Sequence, residues 1–207
     1  MAYNDYCANA NITVDQIIEN LKNSILEGIG IGKSGMMAPT VYETAWLGRI
    51  SSELDANAPA YPSILGWLRE NQRPDGSWGG EIEITHDRII STLSATLALL
   101  EWRRSSYWNE DIDPTIIELG NRYISINADK LEKEEPFVGF EVLVPALLES
   151  LDKREIKLSS PALNQYKSIR KEKLSLIPPE AVYSKASSIC YSLEFLGDDL
   201  DIKKASN

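Results

Sequence analysis

A cluster of carboxylates in a short charged segment is the first feature of this sequence that could do chemistry. Its acidic members are Asp129, Glu132, Glu134 and Glu135, with Lys130 and Lys133 between them. Carboxylate oxygens are the ligands that hard cations such as Mg²⁺ prefer. Judged by composition alone, a run of mixed charges is typical of a solvated turn. The segment becomes a candidate site only if other residues point to the same chemistry.

The charge of the whole chain limits what it can bind. The formal net charge is −10 at pH 7, from 31 acidic and 21 basic residues. Phosphate backbones are bound by clustered lysines and arginines, so we expect no nucleic acid or acidic membrane surface as a partner. A small anionic ligand would also be repelled, unless a divalent cation stands between it and the carboxylates.

Several other kinds of site are excluded by residue type. His86 is the single histidine, so no histidine-based metal site and no Ser-His-Asp arrangement can form, and we interpret His86 as structural. Cys7 and Cys190 do not make a disulfide framework and are expected to be free thiols. A glycine-rich stretch superficially resembles a phosphate-binding loop and contains Gly28, Gly30, Gly32 and Gly35. It lacks the preceding strand and the glycine spacing that such a loop requires, so we interpret it as a linker.

The elements that must position these residues are predicted to be helices. Apolar residues recur at helical spacing in successive segments, and no window shows strand alternation. The first predicted helix runs from Asn11 through Leu26. The following helices are predicted to start at Pro39-Thr40, Pro62, near His86, Pro114, around Pro145 and Ser160-Pro161. The last runs from Val182 to Leu196, with Gly197 as its C-cap. Roughly seven to nine such helices joined by short turns favour an all-α domain, an α/α barrel of antiparallel helix pairs.

Two local features carry more detailed predictions. In Gln72 to Gly79, Pro74, Asp75 and Gly76 predict a reversal between two helices, with the Gln72 amide bonding the free end of a neighbouring helix and Trp78 packed over it. Pro145 is incompatible with an unperturbed helix interior. The helix there either starts near Val144 or kinks at the proline.

Four segments in order resemble class II diterpene cyclases of the copalyl diphosphate synthase type. They are Tyr42-Glu43-Thr44-Ala45-Trp46; Gln72 to Gly79 followed by His86 to Leu93; Val138 to Glu149; and Lys173 to Pro178 with Ser192-Leu193-Glu194. The resemblance covers residues 12 to 202 and concerns the N-terminal part of the family. It implies the family's γ domain over residues 36–197, after a flexible N-terminus (1–10) and a leading helix with a glycine-rich linker (11–35), and before a polar tail (198–207).

The resemblance also implies which residues act. In the family an acidic motif just ahead of the Gly-Phe-Glu segment is thought to hold Mg²⁺ against the substrate diphosphate. Here that position belongs to Asp129, Glu132, Glu134 and Glu135, with Glu132 and Glu135 as metal ligands. Lys173 matches a family lysine that could contact the diphosphate, although a solvated lysine is the alternative. Tyr183 and Tyr191 fall where some relatives carry histidines and are candidates to face the cavity.

The family's acid is not present in this sequence. Relatives protonate the substrate with an Asp-x-Asp-Asp motif in a β domain, and Asp198-Asp199-Leu200-Asp201 has the wrong spacing and lies in a polar segment. We therefore expect the chain to be inactive alone and to need a β domain, in the parent chain or as a separate subunit. No apolar run approaches the 18 or so residues of a membrane span, so a soluble, cytoplasmic protein is predicted.

The resemblance and the missing acid lead to two alternative hypotheses for the function of this chain. The first is a γ-domain subunit or fragment of a diterpene cyclase that binds Mg²⁺ and the diphosphate of geranylgeranyl diphosphate and forms one wall of the cavity. It requires an open apolar face beside the acidic segment. The second is a non-catalytic helical-barrel interaction module derived from such a cyclase, with a closed surface. A prenyltransferase subunit is disfavoured because no Zn²⁺ site can be found.

Overall fold

A computed structural model describes residues 40–133 and 139–176, together with Gln16 and Ile18. The side chains of Glu132 and Lys133 are outside the description. Contacts divide the chain into two units, Met1–Pro39 and Thr40–Asn207. In the first unit, Gln16 and Ile18 are helical and exposed. The rest of the predicted leading helix, the glycine-rich linker, the last helix from Val182 to Leu196 and the polar tail lie outside the described residues.

The described part of the second unit is all-helical, which confirms the predicted fold class. It contains α1 (Val41–Gly48), α2 (Ser63–Glu70), α3 (Thr85–Glu101), α4 (Asp113–Asn127), a 3₁₀ helix (Ala128–Lys133), α5 (Phe140–Asp152) and α6 (Pro161–Ser175). Within these residues no strand forms, and an isolated antiparallel bridge joins Ser51 to Pro59.

Prolines begin the helices where the sequence predicts. Pro114 occupies the first turn of α4, where the missing N–H costs no hydrogen bond. Pro161 does the same in α6, and the Ser160 hydroxyl accepts a hydrogen bond from the Leu163 amide at 3.3 Å. Pro62 is the N-cap of α2. These positions required only local backbone chemistry, which is why the sequence predicted them.

Pro145 was predicted either to lie at the start of a helix near Val144 or to kink a longer helix, and the first alternative is wrong. The helix begins at Phe140 rather than near Val144, and Pro145 lies buried inside it. Because proline has no N–H, the carbonyl of Glu141 loses its helical donor. The helix start is set by Gly139, whose φ of +89° turns the chain into the helix and whose carbonyl accepts the amides of Val142 and Leu143.

Helix α3 forms the centre of the described core. It contacts α1, α2, α4, α5 and the 3₁₀ helix. Of its 17 residues, 14 are buried, including small ones such as Ser91, Ala95 and Ala98 that let neighbouring helices approach closely. A helix enclosed on all sides cannot show a narrow apolar stripe. Most of its buried polar residues are serines and threonines, whose hydroxyls can bond backbone carbonyls, and the others are His86 and Arg88.

Side-chain contacts fix the helix directions. His86 near the start of α3 meets Phe140 at the start of α5, and Glu101 at the end of α3 meets Arg154 just beyond the end of α5, so these two helices run parallel. Helix α6 returns along α5, because Lys167 bonds Asp152 and Lys173 bonds Glu141. One end of the domain therefore contains the starts of α3 and α5, the end of α6 and the 3₁₀ helix. We call it the acidic-loop end.

The reversal between α2 and α3 has the predicted turn but a different anchor. Gly76 adopts φ +87°, and the Asp75 carboxylate accepts from the Ser77 amide at 2.9 Å. The bond to a free helix end is made by Trp78, whose indole N–H donates to the Leu68 carbonyl in the last turn of α2 at 2.8 Å. Gln72 was predicted to make that bond. It is half-buried and instead donates to carbonyls of Gly76 and Ile116, the latter within α4.

Candidate functional site

The acidic segment begins as a 3₁₀ helix rather than an open loop. Asp129 lies in this helix with its side chain exposed to solvent. The Glu132 side chain, Glu134 and Glu135 lie outside the described residues, as do Tyr183 and Tyr191. Among the described residues, no three His, Cys, Asp or Glu side chains are grouped so that they could hold a metal ion. The metal ligands named from the sequence therefore stay a prediction.

Lys173 is the predicted site residue whose surroundings are fully described. Its ammonium group, at the end of α6, donates a hydrogen bond to the carboxylate of Glu141 at the start of α5. The Lys173 side chain is 50% exposed and that of Glu141 is 19% exposed. The cation is thus held at the acidic-loop end with one side open to solvent.

Glu141 is an ionised partner for this lysine. Partial burial acts to raise the pKa of the Glu141 carboxyl, but the hydrogen bond from Lys173, bonds from backbone amides and the charge of Lys173 outweigh burial. The net effect holds its pKa below the ordinary value. Glu141 belongs to the Gly-Phe-Glu segment that carried part of the resemblance, but its pairing with a residue 32 positions away could not be read from spacing.

A row of aromatic rings supports this pair from within the core. The rings of His86 and Phe140 meet edge to face with centroids 4.5 Å apart, and Phe140 meets Tyr166 in the same way at 5.2 Å. Burial first, and then the charge of Glu141, raise the pKa of the Tyr166 phenol. Tyr166 therefore stays a neutral hydroxyl at physiological pH. His86 is 1% exposed, in keeping with the structural interpretation of this residue.

The acidic-loop end also carries exposed apolar side chains. Ile126, near the end of α4, is 64% exposed, and Leu176, directly after α6, is 77% exposed. The same end carries the half-exposed cation of Lys173 and the exposed side chains of Asp129 and Lys130. Exposed apolar side chains, lysines and carboxylates at one end of the domain suit a ligand or partner that is mostly apolar with a charged head.

Comparison with curated proteins gives a consistent set of relatives. The chain is 35% identical over 190 residues to a (-)-kolavenyl diphosphate synthase from Tripterygium wilfordii, across 86% of this chain and 22% of that protein. It is also 35% identical over 175 residues to a (13E)-labda-7,13-dien-15-ol synthase from Selaginella moellendorffii, across 82% of this chain and 22% of the relative. No family model matches the sequence.

Solved structures agree with the sequence relatives. Abietadiene synthase from Abies grandis matches with a TM-score of 0.73 and 31% identity, over 92% of this chain and 25% of that chain. The homologues of this chain are class II diterpene synthases. The ent-copalyl diphosphate synthase from Arabidopsis thaliana, another of these diterpene synthases, matches with a TM-score of 0.67 and 31% identity, over 89% of this chain and 26% of that chain.

These matches confirm the family resemblance read from the four sequence segments. The chain spans about a fifth to a quarter of the length of the diterpene synthases it matches. The Tripterygium wilfordii relative is named as chloroplastic, and the cytoplasmic location predicted for this chain stays a prediction. In the part of the chain that the structure describes, no helix is both long enough and apolar enough to cross a membrane.

Proposed function

We propose that this chain acts as the γ-domain part of a class II diterpene cyclase. It contributes one wall of the cavity in which geranylgeranyl diphosphate is cyclised after protonation of its terminal alkene. The observation that carries the proposal is the 31–35% identity to diterpene synthases that extends over most of this chain in both sequence and structure. One matching structure, the Arabidopsis thaliana enzyme, is a complex with (S)-15-aza-14,15-dihydrogeranylgeranyl thiolodiphosphate.

Lys173 is the proposed diphosphate contact. In a chain of net charge −10, an anionic head group needs a cation that is both accessible and fixed in place. Lys173 is half exposed, and its bond to Glu141 orients it at the acidic-loop end. A diphosphate oxygen would take a free donor of the ammonium group, which has three N–H bonds. Glu141 is then a positioning residue that holds the lysine while substrate binds.

Mg²⁺ is the proposed ion of the acidic segment. The donor set is carboxylate oxygen from Asp129, Glu132, Glu134 and Glu135, which is the type that Mg²⁺ prefers. Asp129 is exposed at the acidic-loop end, in keeping with a ligand of this kind. When bound, the ion would supply positive charge that offsets repulsion between the diphosphate and the acidic protein.

The source of the proton is proposed to lie outside this sequence. The one fully buried carboxylate among the described residues, that of Asp113, accepts bonds from the Arg69 guanidinium at 2.7 and 2.9 Å and from the Asn109 amide at 2.8 Å. Its hydrogen bonds join α2 to the start of α4. We therefore propose that an Asp-x-Asp-Asp motif on a β domain supplies the acid.

The open apolar face beside the acidic segment favours this function over a closed interaction module. Ile126 and Leu176 are mostly exposed at that end, whereas a module with a closed surface would bury them. Large contiguous apolar patches on a protein surface mark sites that a ligand or partner covers.

Turnover of geranylgeranyl diphosphate with Mg²⁺ tests the proposal. We expect no product from the chain alone, and a bicyclic diphosphate when the chain is mixed with an Asp-x-Asp-Asp domain of a class II diterpene synthase. Lys173→Met should lower turnover in the mixture, while Lys171→Met, on a neighbouring exposed lysine of α6, serves as control. Absence of product together with absence of association between the two proteins would rule the proposal out.

A further inference from the structure

We propose that Ser106, in the segment between α3 and α4, is a phosphorylation site for an arginine-directed serine/threonine kinase. This inference goes beyond the proposed function and does not depend on it. Two observations carry it. One is an exposed serine hydroxyl that makes no hydrogen bond among the described residues, and the other is a pair of exposed arginines just ahead of it in the sequence.

The Ser106 hydroxyl is accessible and is not used by the fold. Ser106 is exposed, and its Oγ makes no hydrogen bond within the described part of the chain. The hydroxyl of the preceding Ser105 is different, because it donates to the Trp102 carbonyl at 2.8 Å and accepts from the Tyr107 amide at 3.2 Å. A kinase must align the acceptor oxygen with ATP, so a hydroxyl already bonded within its own turn is the poorer acceptor.

Arg103 and Arg104 supply the charge that such a kinase recognises. They lie three and two positions ahead of Ser106, both are exposed, and neither forms an ion pair with any residue that the structure describes. Glu101, the nearest acidic residue in the sequence, is held by Arg154 at 2.6 Å. Arginine-directed kinases place carboxylates against arginines at these two positions of a substrate, and such charge patterns decide which substrates a kinase selects.

Two other serines that follow an arginine by three positions lack this combination. Ser52 follows Arg49, but that guanidinium lies over the Trp46 ring, 4.6 Å from its centroid. Ser125 also follows an arginine, but it lies within α4, and its hydroxyl donates to the Asn121 carbonyl at 2.8 Å. A kinase binds the residues around its acceptor in an extended conformation, which a serine inside a helix adopts only if that helix unwinds.

The backbone around the proposed site is easier to rearrange than a helix. The segment is held at two points, by the Trp102 indole N–H, which donates to the Gly48 carbonyl at 2.7 Å, and by the Tyr107 carbonyl, which accepts from Arg69 at 2.8 Å. Between these points the backbone is joined by turn hydrogen bonds at the surface. Such bonds open more readily than those of a buried helix, so residues 103–106 can adapt to a kinase at modest cost.

The site is remote from the proposed diphosphate contact. It directly follows the end of α3, whereas Lys173 lies at the acidic-loop end with the start of α3. Here Arg103 and Arg104 line a hollow of about 590 Å³, whose other lining residues are Leu100, Glu101, Glu110, Lys153, Arg154 and Glu155. Phosphoserine carries a charge of about −1.5 to −2, and arginine forms strong charge-assisted hydrogen bonds with phosphate. The modified side chain would therefore have cations close to it in its own turn.

The modification is a phosphoryl transfer from ATP. The Oγ of Ser106 forms a bond to the γ-phosphorus while the bond from that phosphorus to the oxygen bridging to the β-phosphate breaks, and ADP leaves. The hydroxyl proton passes to the catalytic aspartate of the kinase. ATP is the sole co-reactant, and the Mg²⁺ that accompanies it is held by the kinase.

Incubation of the full chain with ATP, Mg²⁺ and the catalytic subunit of cyclic-AMP-dependent protein kinase tests the inference. We expect one phosphoryl group per chain, located on Ser106 by fragmentation in the mass spectrometer. Ser106→Ala should abolish incorporation, whereas the matched control Ser105→Ala should still be phosphorylated on Ser106. Because the Ser106 side chain is exposed, circular dichroism should show unchanged melting for Ser106→Ala.

A second measurement tests the two arginines. The double variant Arg103→Gln, Arg104→Gln should lower kcat/KM of the kinase for this chain at least tenfold, and Arg122→Gln, on an exposed arginine of α4, should change it less than twofold. Phosphate on another residue would overturn the inference, as would absence of phosphate from the folded chain when a control peptide is phosphorylated. Rates that do not respond to loss of Arg103 and Arg104 would also overturn it.

Discussion

The ion pair between Lys173 and Glu141 makes a pH-dependent contribution to stability that can be isolated. The pKa of Glu141 in the folded chain is lowered, so the pair stabilises the fold above the unfolded-state pKa of about 4.3 and this stability is lost as pH falls through the folded-state pKa. Because Lys173 is half exposed, the contribution at pH 7 should be below about 1 kcal/mol.

We therefore expect Glu141→Gln to lower the free energy of unfolding slightly at pH 7 and to have no effect near pH 2. Urea denaturation of both proteins across that range measures the difference. Glu172→Gln, on an exposed residue of α6, provides the control and should track wild type throughout. A deficit for Glu141→Gln that stayed constant with pH would show that the carboxylate charge is not what stabilises the contact.

Between elements, the buried pair of Arg69 and Asp113 joins α2 to the start of α4. Asp113 is 0% exposed and accepts three hydrogen bonds, and the first cause of the raised pKa of Arg69 is its bond to this carboxylate. Removing one partner of a buried pair leaves an uncompensated charge, so Asp113→Asn should cost about 3–5 kcal/mol of unfolding free energy.

The matched control is Asp152→Asn, which removes the charge from an exposed pair with Lys167. The two side chains there are 38% and 29% exposed, and such pairs contribute below about 1 kcal/mol. Chemical denaturation of the two variants gives the comparison. Equal losses would mean that the burial of the Arg69 pair does not set its contribution.

Two glycines of the same helical hairpin should respond to alanine in opposite directions. Gly76 has φ +87°, and a Cβ there would lie 2.5 Å from the Leu119 carbonyl oxygen, so Gly76→Ala forces the turn away from α4. Gly66 lies within α2 with open space around a Cβ, so Gly66→Ala should stabilise by about 0.5–1 kcal/mol. Thermal melting tests both, and a stabilised Gly76→Ala variant would contradict the turn geometry.

Local elements were predictable from the sequence, and contacts between elements were not. Pro114 and Ser160-Pro161 specify helix starts by backbone chemistry alone, and the structure has them there. Gln72 was predicted to bond the free end of a neighbouring helix, but it donates to the Ile116 carbonyl in the first turn of α4. The end of α2 is bonded by Trp78, because only the packed hairpin brings the indole N–H to Leu68. In the same way, Lys173 was named from its sequence segment, but its partner Glu141 depends on α6 returning along α5.

For the whole molecule, the arrangement around α3 explains why one end carries the site. The parallel α3 and α5 and the antiparallel α6 place Asp129, Glu141, Lys173 and the exposed Ile126 at a single end. The sequence predicted the all-α class and the family, since periodicity and short motifs suffice for both. It did not predict the exposed apolar side chains of α4, because Leu119 and Ile126 are spaced like core residues and only the packed structure shows them exposed.

The most direct test replaces the matched 190-residue segment of the Tripterygium wilfordii kolavenyl diphosphate synthase with this chain and assays geranylgeranyl diphosphate turnover. A γ domain that supplies a cavity wall and a diphosphate contact should yield a folded chimera that forms a bicyclic diphosphate, and Lys173→Met should reduce that turnover. A second possible outcome is a chimera that melts cooperatively and gives no cyclised product under conditions in which the parent enzyme is active. That result would contradict the account.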